Sequence, residues 1–232
     1  MSVELTLSEL MAQVKEQFSY ETLCSLSDEQ TTKYRNLLEH FMKVNCSMSS
    51  TKEKGDALEE LVGYLLQISG NIFKVVRNVR TSTNEIDQII QLTETGKALL
   101  KYGLLPERFE LFLGECKNYN KAVGVTYIGK FYSLLQTTQI TTGILFSYHG
   151  VTGAAWQNGS GLIKKIYLQR EQEPFRVAII EFSVTDFQNI LQGKNFIQII
   201  EDKLNSLRFD TSVAKFISSH PAESQLGSLE PR

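Results

Sequence analysis

The chain has 232 residues, 42% hydrophobic and 22% charged, an ordinary globular composition with enough apolar mass for a sizeable core. Its formal net charge of −2 excludes a general polycation, so an anionic partner has to be met by a local patch or by bound metal. Three scattered cysteines, Cys24, Cys46 and Cys116, supply no CxxC pair for a zinc knuckle and no disulfide framework, which points to a reducing cytosol; no apolar run is long enough to span a membrane, and no signal-peptide pattern or internal repeat is present.

Residues 1 to about 48 read as helical. One segment runs from about Ser8 to Phe18, and a second starts at Ser27, where Ser27 and Gln30 match a capping box, and runs to about Val44. The polar stretch Ser47–Lys54 reads as a linker. A third helix follows from about Glu53 to Ile68, with Leu58, Leu61, Val62, Leu65 and Leu66 at helical spacing and Gly70-Asn71 as its stop.

The pattern then switches to strands. Asn71–Val79 and Asn84–Leu92 are rich in branched residues and flank the polar turn Arg80-Thr81-Ser82-Thr83. Thr93–Arg108 is a polar excursion with a helical patch near Ala98–Tyr102, and Phe109–Lys117 is a third strand. A helix is expected over Val125–Gln139, a strand over Thr142–Ser147, a short helix around Ala154, a strand over Phe175–Val184, and one or two helices over Thr185–Leu207. The tail Ser219–Arg232, with two prolines and little apolar content, is expected to be disordered. The strand–helix–strand steps require crossovers, so the sheet is mixed and flanked by helices, an α/β architecture.

Chemistry concentrates at Glu115-Cys116-Lys117. Strand alternation puts Glu115 and Lys117 on one face and Cys116 on the other. If the second and third strands pair, Asp87 lies beside Glu115. Two carboxylates and an ammonium at a strand end suit a hard metal with a cation beside it, the equipment for phosphodiester hydrolysis. A Glu-x-Lys tripeptide alone is common and more often a solvated pair. Asp87 among Ile86, Ile89 and Ile90 is less easily dismissed, because a partly desolvated carboxylate needs a cation. Glu59 shares a helix side with Val62 and Leu66, and it too needs a partner, either a metal or an arginine from the following strand.

Lys74, Arg77 and Arg80 recur at three-residue spacing, and Lys117, Lys121 and Lys130 form a second loose basic set; each is a phosphate-contact candidate as well as an ordinary solubilising charge. His40 and His149 stand alone. Trp156 and the tyrosines show no spacing that demands a base-stacking platform. No P-loop, GxSxG, HExxH or GxGxxG motif occurs.

On these residues the chain resembles the PD-(D/E)xK restriction-endonuclease-like superfamily, and within it the Mrr-type restriction endonuclease group, over roughly Lys54–Phe209. Gly55-Asp56-Ala57-Leu58-Glu59 is similar to the family's opening helix, Glu85-Ile86-Asp87 to its second-strand acid, and Glu115-Cys116-Lys117 to its third-strand end. Val123-Gly124-Val125 through Leu135 is similar to the helix that follows. Thr142-Gly143-Ile144-Leu145-Phe146 with Gly153-Ala154-Ala155 is similar to the next strand and its small-residue segment.

The resemblance implies a restriction-endonuclease-like core with a central mixed β-sheet flanked by helices over 51–210, after a helical N-terminal region at 1–50. It implies a Mg²⁺-dependent DNA endonuclease, with Mn²⁺ able to substitute, acting in restriction or anti-phage defence. Asp87, Glu115 and Glu59 would hold the metal and Lys117 would assist the attacking water; of the basic candidates read from spacing, Lys74, Arg77, Arg80 and Lys121 are then expected to meet DNA. Cutting both strands usually needs two sites, so a cytoplasmic homodimer is expected. The alternatives are a catalytically inactive nucleic-acid- or partner-binding module on the same fold, and an enzyme acting on RNA or branched DNA. Two features depart from the minimal family core: the long Thr93–Arg108 stretch between Asp87 and Glu115, and the N-terminal helical region.

Overall fold

The computed structural model describes residues 17–80, 85–153, 158–172 and 175–209. Most of the expected first helix, the turn at 81–83, the helix around Ala154, Trp156, the tail at 219–232 and the side chain of Arg80 lie outside the described residues.

The described elements, in chain order, are α1 (Tyr20–Leu23), α2 (Asp28–Cys46), α3 (Thr51–Ile68), β1 (Phe73–Arg80), β2 (Glu85–Leu92), α4 (Glu94–Lys101), β3 (Leu111–Cys116), α5 (Val125–Thr138), β4 (Thr142–Phe146), α6 (Gly159–Leu168), β5 (Ala178–Phe182), α7 (Val184–Leu191) and α8 (Phe196–Arg208). At the start of α2 the expected capping box forms: Ser27 Oγ accepts from the Gln30 N–H at 3.2 Å, and Gln30 Oε1 accepts from the Ser27 N–H at 2.9 Å. Ser50 and Glu53 make a second box, at 3.2 and 2.7 Å. That second box starts α3 at Thr51, so the polar stretch expected to link as far as Lys54 is only residues 47–50. The stretch over Thr185–Leu207 is two helices. Gly193 at φ +97° ends the first, and Asn195 caps the second by accepting from the Gln198 N–H.

Strand order in the sheet follows chain order, β1-β2-β3-β4-β5. The first three strands form an antiparallel meander. β3, β4 and β5 run parallel, with α5 and α6 as the crossovers. The two faces are covered differently. Phe73, Ile90, Phe112 and Phe182 face the α3, α7 and α8 side, where Phe73 meets Phe112 at 5.4 Å and Phe196 at 5.8 Å, and Phe182 meets Phe187 at 4.8 Å between ring centroids. The opposite face carries Leu113, Gly143 and Leu145 and is covered by α5, whose Phe131 and Leu135 lie against Gly143.

Helix α2 belongs to the same core. The buried Tyr34 hydroxyl donates to the Phe187 carbonyl at 3.0 Å, and the Phe41 ring packs on Phe187 and Tyr148. Buried apolar side chains from Cys24 to Leu207 form one contiguous cluster. Burying each large apolar side chain contributes about 1.5–3 kcal/mol, so an α2 that seats Tyr34, Leu38 and Phe41 is a structural part of the domain. Among the described residues, no helix is long and apolar enough to cross a membrane.

Gly143 is where the crossover helix comes closest to the sheet. A Cβ there would meet Phe131 ring atoms at 2.7 Å and Leu135 Cδ1 at 2.9 Å. Gly143→Ala is therefore predicted to cost about 1–3 kcal/mol from overpacking, read as a lower urea midpoint with unchanged slope. An unchanged midpoint would mean that α5 does not press on β4 as described.

Candidate active site

Strand pairing builds the site. β2 and β3 pair from Gln91–Leu111 to Gln88–Gly114, and the next step of that register sets Asp87 opposite Glu115. Both acids point to the α5 side of the sheet, at the end where the parallel strands finish. Lys117 follows on the same face and reaches both. Its Nζ lies 2.7 Å from Glu115 Oε1 and 3.2 Å from Asp87 Oδ2. Asp87 Oδ2 also accepts from the Cys116 N–H at 3.3 Å. The three side chains are 27%, 17% and 25% exposed for Asp87, Glu115 and Lys117, deep enough for their charges to interact strongly and open enough for a substrate to reach them.

The electrostatics are uneven. Burial first, and then the Asp87 charge, raise the Glu115 pKa above the ordinary carboxylate value despite Lys117. Burial works against charge on Lys117, but the Glu115 and Asp87 carboxylates outweigh it and raise its pKa. Lys117 is therefore a fixed cation at neutral pH. Burial, followed by the charges of Glu59, Asp87 and Glu115, pushes the Cys116 thiol well above its ordinary value, so Cys116 is an unreactive wall.

The surroundings hold this end of β3 in place. The Lys117 N–H donates to the Phe146 carbonyl at 2.9 Å. Asn118 Nδ2 donates to the Lys54 carbonyl at 2.7 Å, while the buried Lys54 ammonium donates to Asn120 Oδ1 at 2.7 Å, so α3 and the loop after β3 are tied together. Val123 and Val151 form an isolated bridge that fixes the start of α5.

Glu59 sits half-buried on α3, on the other side of the strand, close enough to Cys116 for its charge to act on the thiol. The arginine envisaged as its partner does come from the following strand, but it binds the backbone: Arg77 Nη2 donates to the Glu59 carbonyl at 3.3 Å. The guanidinium fills the space over Gly63, where a Cβ would lie 1.7 Å from Arg77 Nη2. Lys74 is exposed on β1 on the Asp87 face, whereas Arg77 is on the α3 face; Lys121 is exposed in the loop after Lys117.

Two sets of residues escaped the sequence reading. Gln88 is buried opposite Gly114, donates to Cys116 Sγ at 3.5 Å, and leaves its Oε1 without a partner. Gly114 admits it, since a Cβ there would lie 2.7 Å from that oxygen; a glycine inside a strand was the available signal of close approach. The second is the aromatic part, Tyr119, Tyr127 and Phe131, of a cleft of about 320 Å³ between the sheet and α5, which Glu115, Lys117 and Lys130, already singled out in the sequence, also line. The Tyr119 and Tyr127 rings meet at 5.1 Å, tilted by 40°. Eight positions apart and split between a loop and a helix, they follow no single period.

Among the described residues no group of three His, Cys, Asp or Glu side chains is placed to hold a metal ion. Asp87 and Glu115 nonetheless fit a hard divalent cation: both are carboxylates, they face each other, and their mutual repulsion would be relieved by positive charge between them. The family model described as restriction endonuclease, the Mrr-type catalytic domain, matches residues 51–173, more than half of the chain.

The chain belongs to the Mrr-type restriction endonuclease family.

That family is one of nucleases acting on DNA, and restriction-endonuclease-like domains generally use divalent metal ions. No curated protein and no solved structure matches the chain.

The raised Glu115 pKa sets a pH signature. The folded state holds the Glu115 proton more tightly than the unfolded chain does, so stability is lost as pH rises through the folded pKa. Glu115→Gln has no proton to lose there. It is predicted to gain on the wild type as pH rises from about 4 to about 8, compared by urea titration at both ends. A difference that stays constant with pH would contradict the raised pKa.

Proposed function

We propose that the protein is a Mg²⁺-dependent endonuclease that hydrolyses phosphodiester bonds of DNA, with Mn²⁺ able to substitute, and that it acts as a cytoplasmic homodimer in restriction or anti-phage defence. The observation that carries the reading is Lys117 Nζ within 3.2 Å of both an Asp87 and a Glu115 oxygen at a strand end beside an open cleft. Asp87 and Glu115 would hold the divalent cation, and Glu59 would add negative charge from behind the strand. Held there, a divalent ion would supply Lewis-acid polarisation of the phosphoryl group and charge neutralisation.

The chain's own residues do the rest. Asp87 and Glu115 set where a cation would sit at the strand end. Lys117, held by both carboxylates, keeps its proton and presents a donor to the attacking water and to the charge that develops on the phosphate. As a permanent cation it orients and stabilises; it does not remove the proton from the water. Lys121, exposed in the loop after Lys117, would meet a phosphate flanking the site, and Lys74, exposed on the same sheet face but beside Gln91 four positions along β2 from Asp87, would meet one further away.

The direct test is cleavage of supercoiled and linear duplex DNA with Mg²⁺, with Mn²⁺ and with chelator. Asp87→Ala, Glu115→Ala and Lys117→Ala are each expected to lose about a hundredfold or more in rate while remaining folded by circular dichroism. Full activity in Lys117→Ala, or cleavage in chelator, would refute the assignment.

Arg77 and Lys121 are predicted to separate. Arg77→Met should cost about 1 kcal/mol of stability and leave DNA affinity unchanged, because its guanidinium is engaged on α3. Lys121→Ala should leave stability unchanged and lower the salt dependence of DNA binding by about one ion. Filter binding across a salt series, paired with thermal melts, distinguishes them, and a DNA defect in Arg77→Met would overturn the distinction.

A further inference from the structure

Resting on the reading of Asp87, Glu115 and Lys117 as the cutting site, we propose that the adjoining cleft takes one unpaired nucleotide of the DNA strand, its base stacked on the Tyr119–Tyr127 pair and its phosphate met by Lys117 and Lys130. Four observations converge. The cleft shares Glu115 and Lys117 with the site, so whatever enters it is next to the bond being cut. Its volume, about 320 Å³, suits a single nucleotide and excludes a duplex. The Tyr119 and Tyr127 rings touch and are partly exposed, Tyr127 by 38%, an arrangement that leaves flat aromatic surface facing solvent. The Lys130 ammonium rests 5.6 Å from the Tyr127 ring centroid, and among the described residues no carboxylate lies within ion-pair distance of it.

A nucleotide is the part of DNA that matches this combination of a planar apolar disc and an anion. The ammonium over Tyr127 occupies the place a base would take. An exposed cation–π contact is weak, and base–aromatic stacking is stronger, so an incoming base displaces the ammonium towards the phosphate that accompanies it. A base within a duplex keeps both faces against its neighbours. The nucleotide in the cleft is therefore single-stranded or extruded from its stack.

The test uses the full-length chain and a short thymidine oligonucleotide carrying one central 2-aminopurine, in Ca²⁺ so that the strand stays intact. Wild type is expected to bind it and quench its fluorescence. Tyr127→Ala and Tyr119→Ala should lose the quench and bind roughly tenfold more weakly, while Tyr127→Phe retains both. Lys130→Ala should keep the quench and lower the salt slope of binding by roughly 0.7. Failure of the wild type to bind the single strand, or equal quenching in wild type and Tyr127→Ala with both folded, overturns the proposal. A Tyr127-dependent quench with no metal-dependent cutting supports the nucleotide cleft and removes the nuclease reading. Cutting by wild type with no quench removes the cleft and leaves the nuclease reading in place.

Discussion

Everything at this site depends on one ammonium group between two carboxylates. Asp87 and Glu115 face each other at a strand end, and burial and mutual repulsion drive Glu115 towards its protonated form. Lys117 reaches both and offsets part of that repulsion, without cancelling it. A second positive charge would complete the neutralisation that Lys117 begins, which is the physical argument for the proposed divalent cation. Such a site costs stability in the folded state, and the surrounding core has to carry that cost.

The core does so by gripping the strand end from both sides. On one face α3 supplies a row of buried leucines and the Lys54 tie to Asn118 and Asn120. On the other, α5 presses on Gly143 and walls the cleft. The three charged side chains thus stand on two paired strands, β2 and β3, and on the first residue beyond β3, and the loop carrying Tyr119 is fixed at Val123 before α5 begins. Even the N-terminal α2, absent from the minimal family core, is packed into this same body through Tyr34 and Phe41.

How much of this was legible in the sequence follows from the range of the interactions. The juxtaposition of Asp87, Glu115 and Lys117 follows from strand alternation, which shows in the pattern of branched residues, and from one antiparallel pairing, which the sequence left as a condition. The Ser27–Gln30 box is local and was equally readable. That an arginine of the following strand would meet α3 at Glu59 was legible as one option, but not that it would be Arg77 on the backbone carbonyl, because a three-residue spacing of cations says nothing about which face of a strand each one takes. Tyr119 and Tyr127 meet only because α5 turns back along the sheet, and Gln88 is buried only because Gly114 lies opposite. Such contacts are set by tertiary approach, for which a single sequence carries at most an isolated glycine as a clue.

The match between strand order and chain order has a consequence for synthesis. Each strand's neighbour is the one made immediately before or after it, so no strand waits for a distant partner. The β1–β3 meander can pair as soon as its own three strands are free to meet, since local pairings carry the smallest loop-closure cost. Asp87, Glu115 and Lys117 are all present at that stage. The cleft is not, because its α5 wall and Leu145 are synthesised later. The charged cluster therefore takes its register from pairings within the meander, whereas the chamber beside it needs the α5 and β4 that follow in the chain.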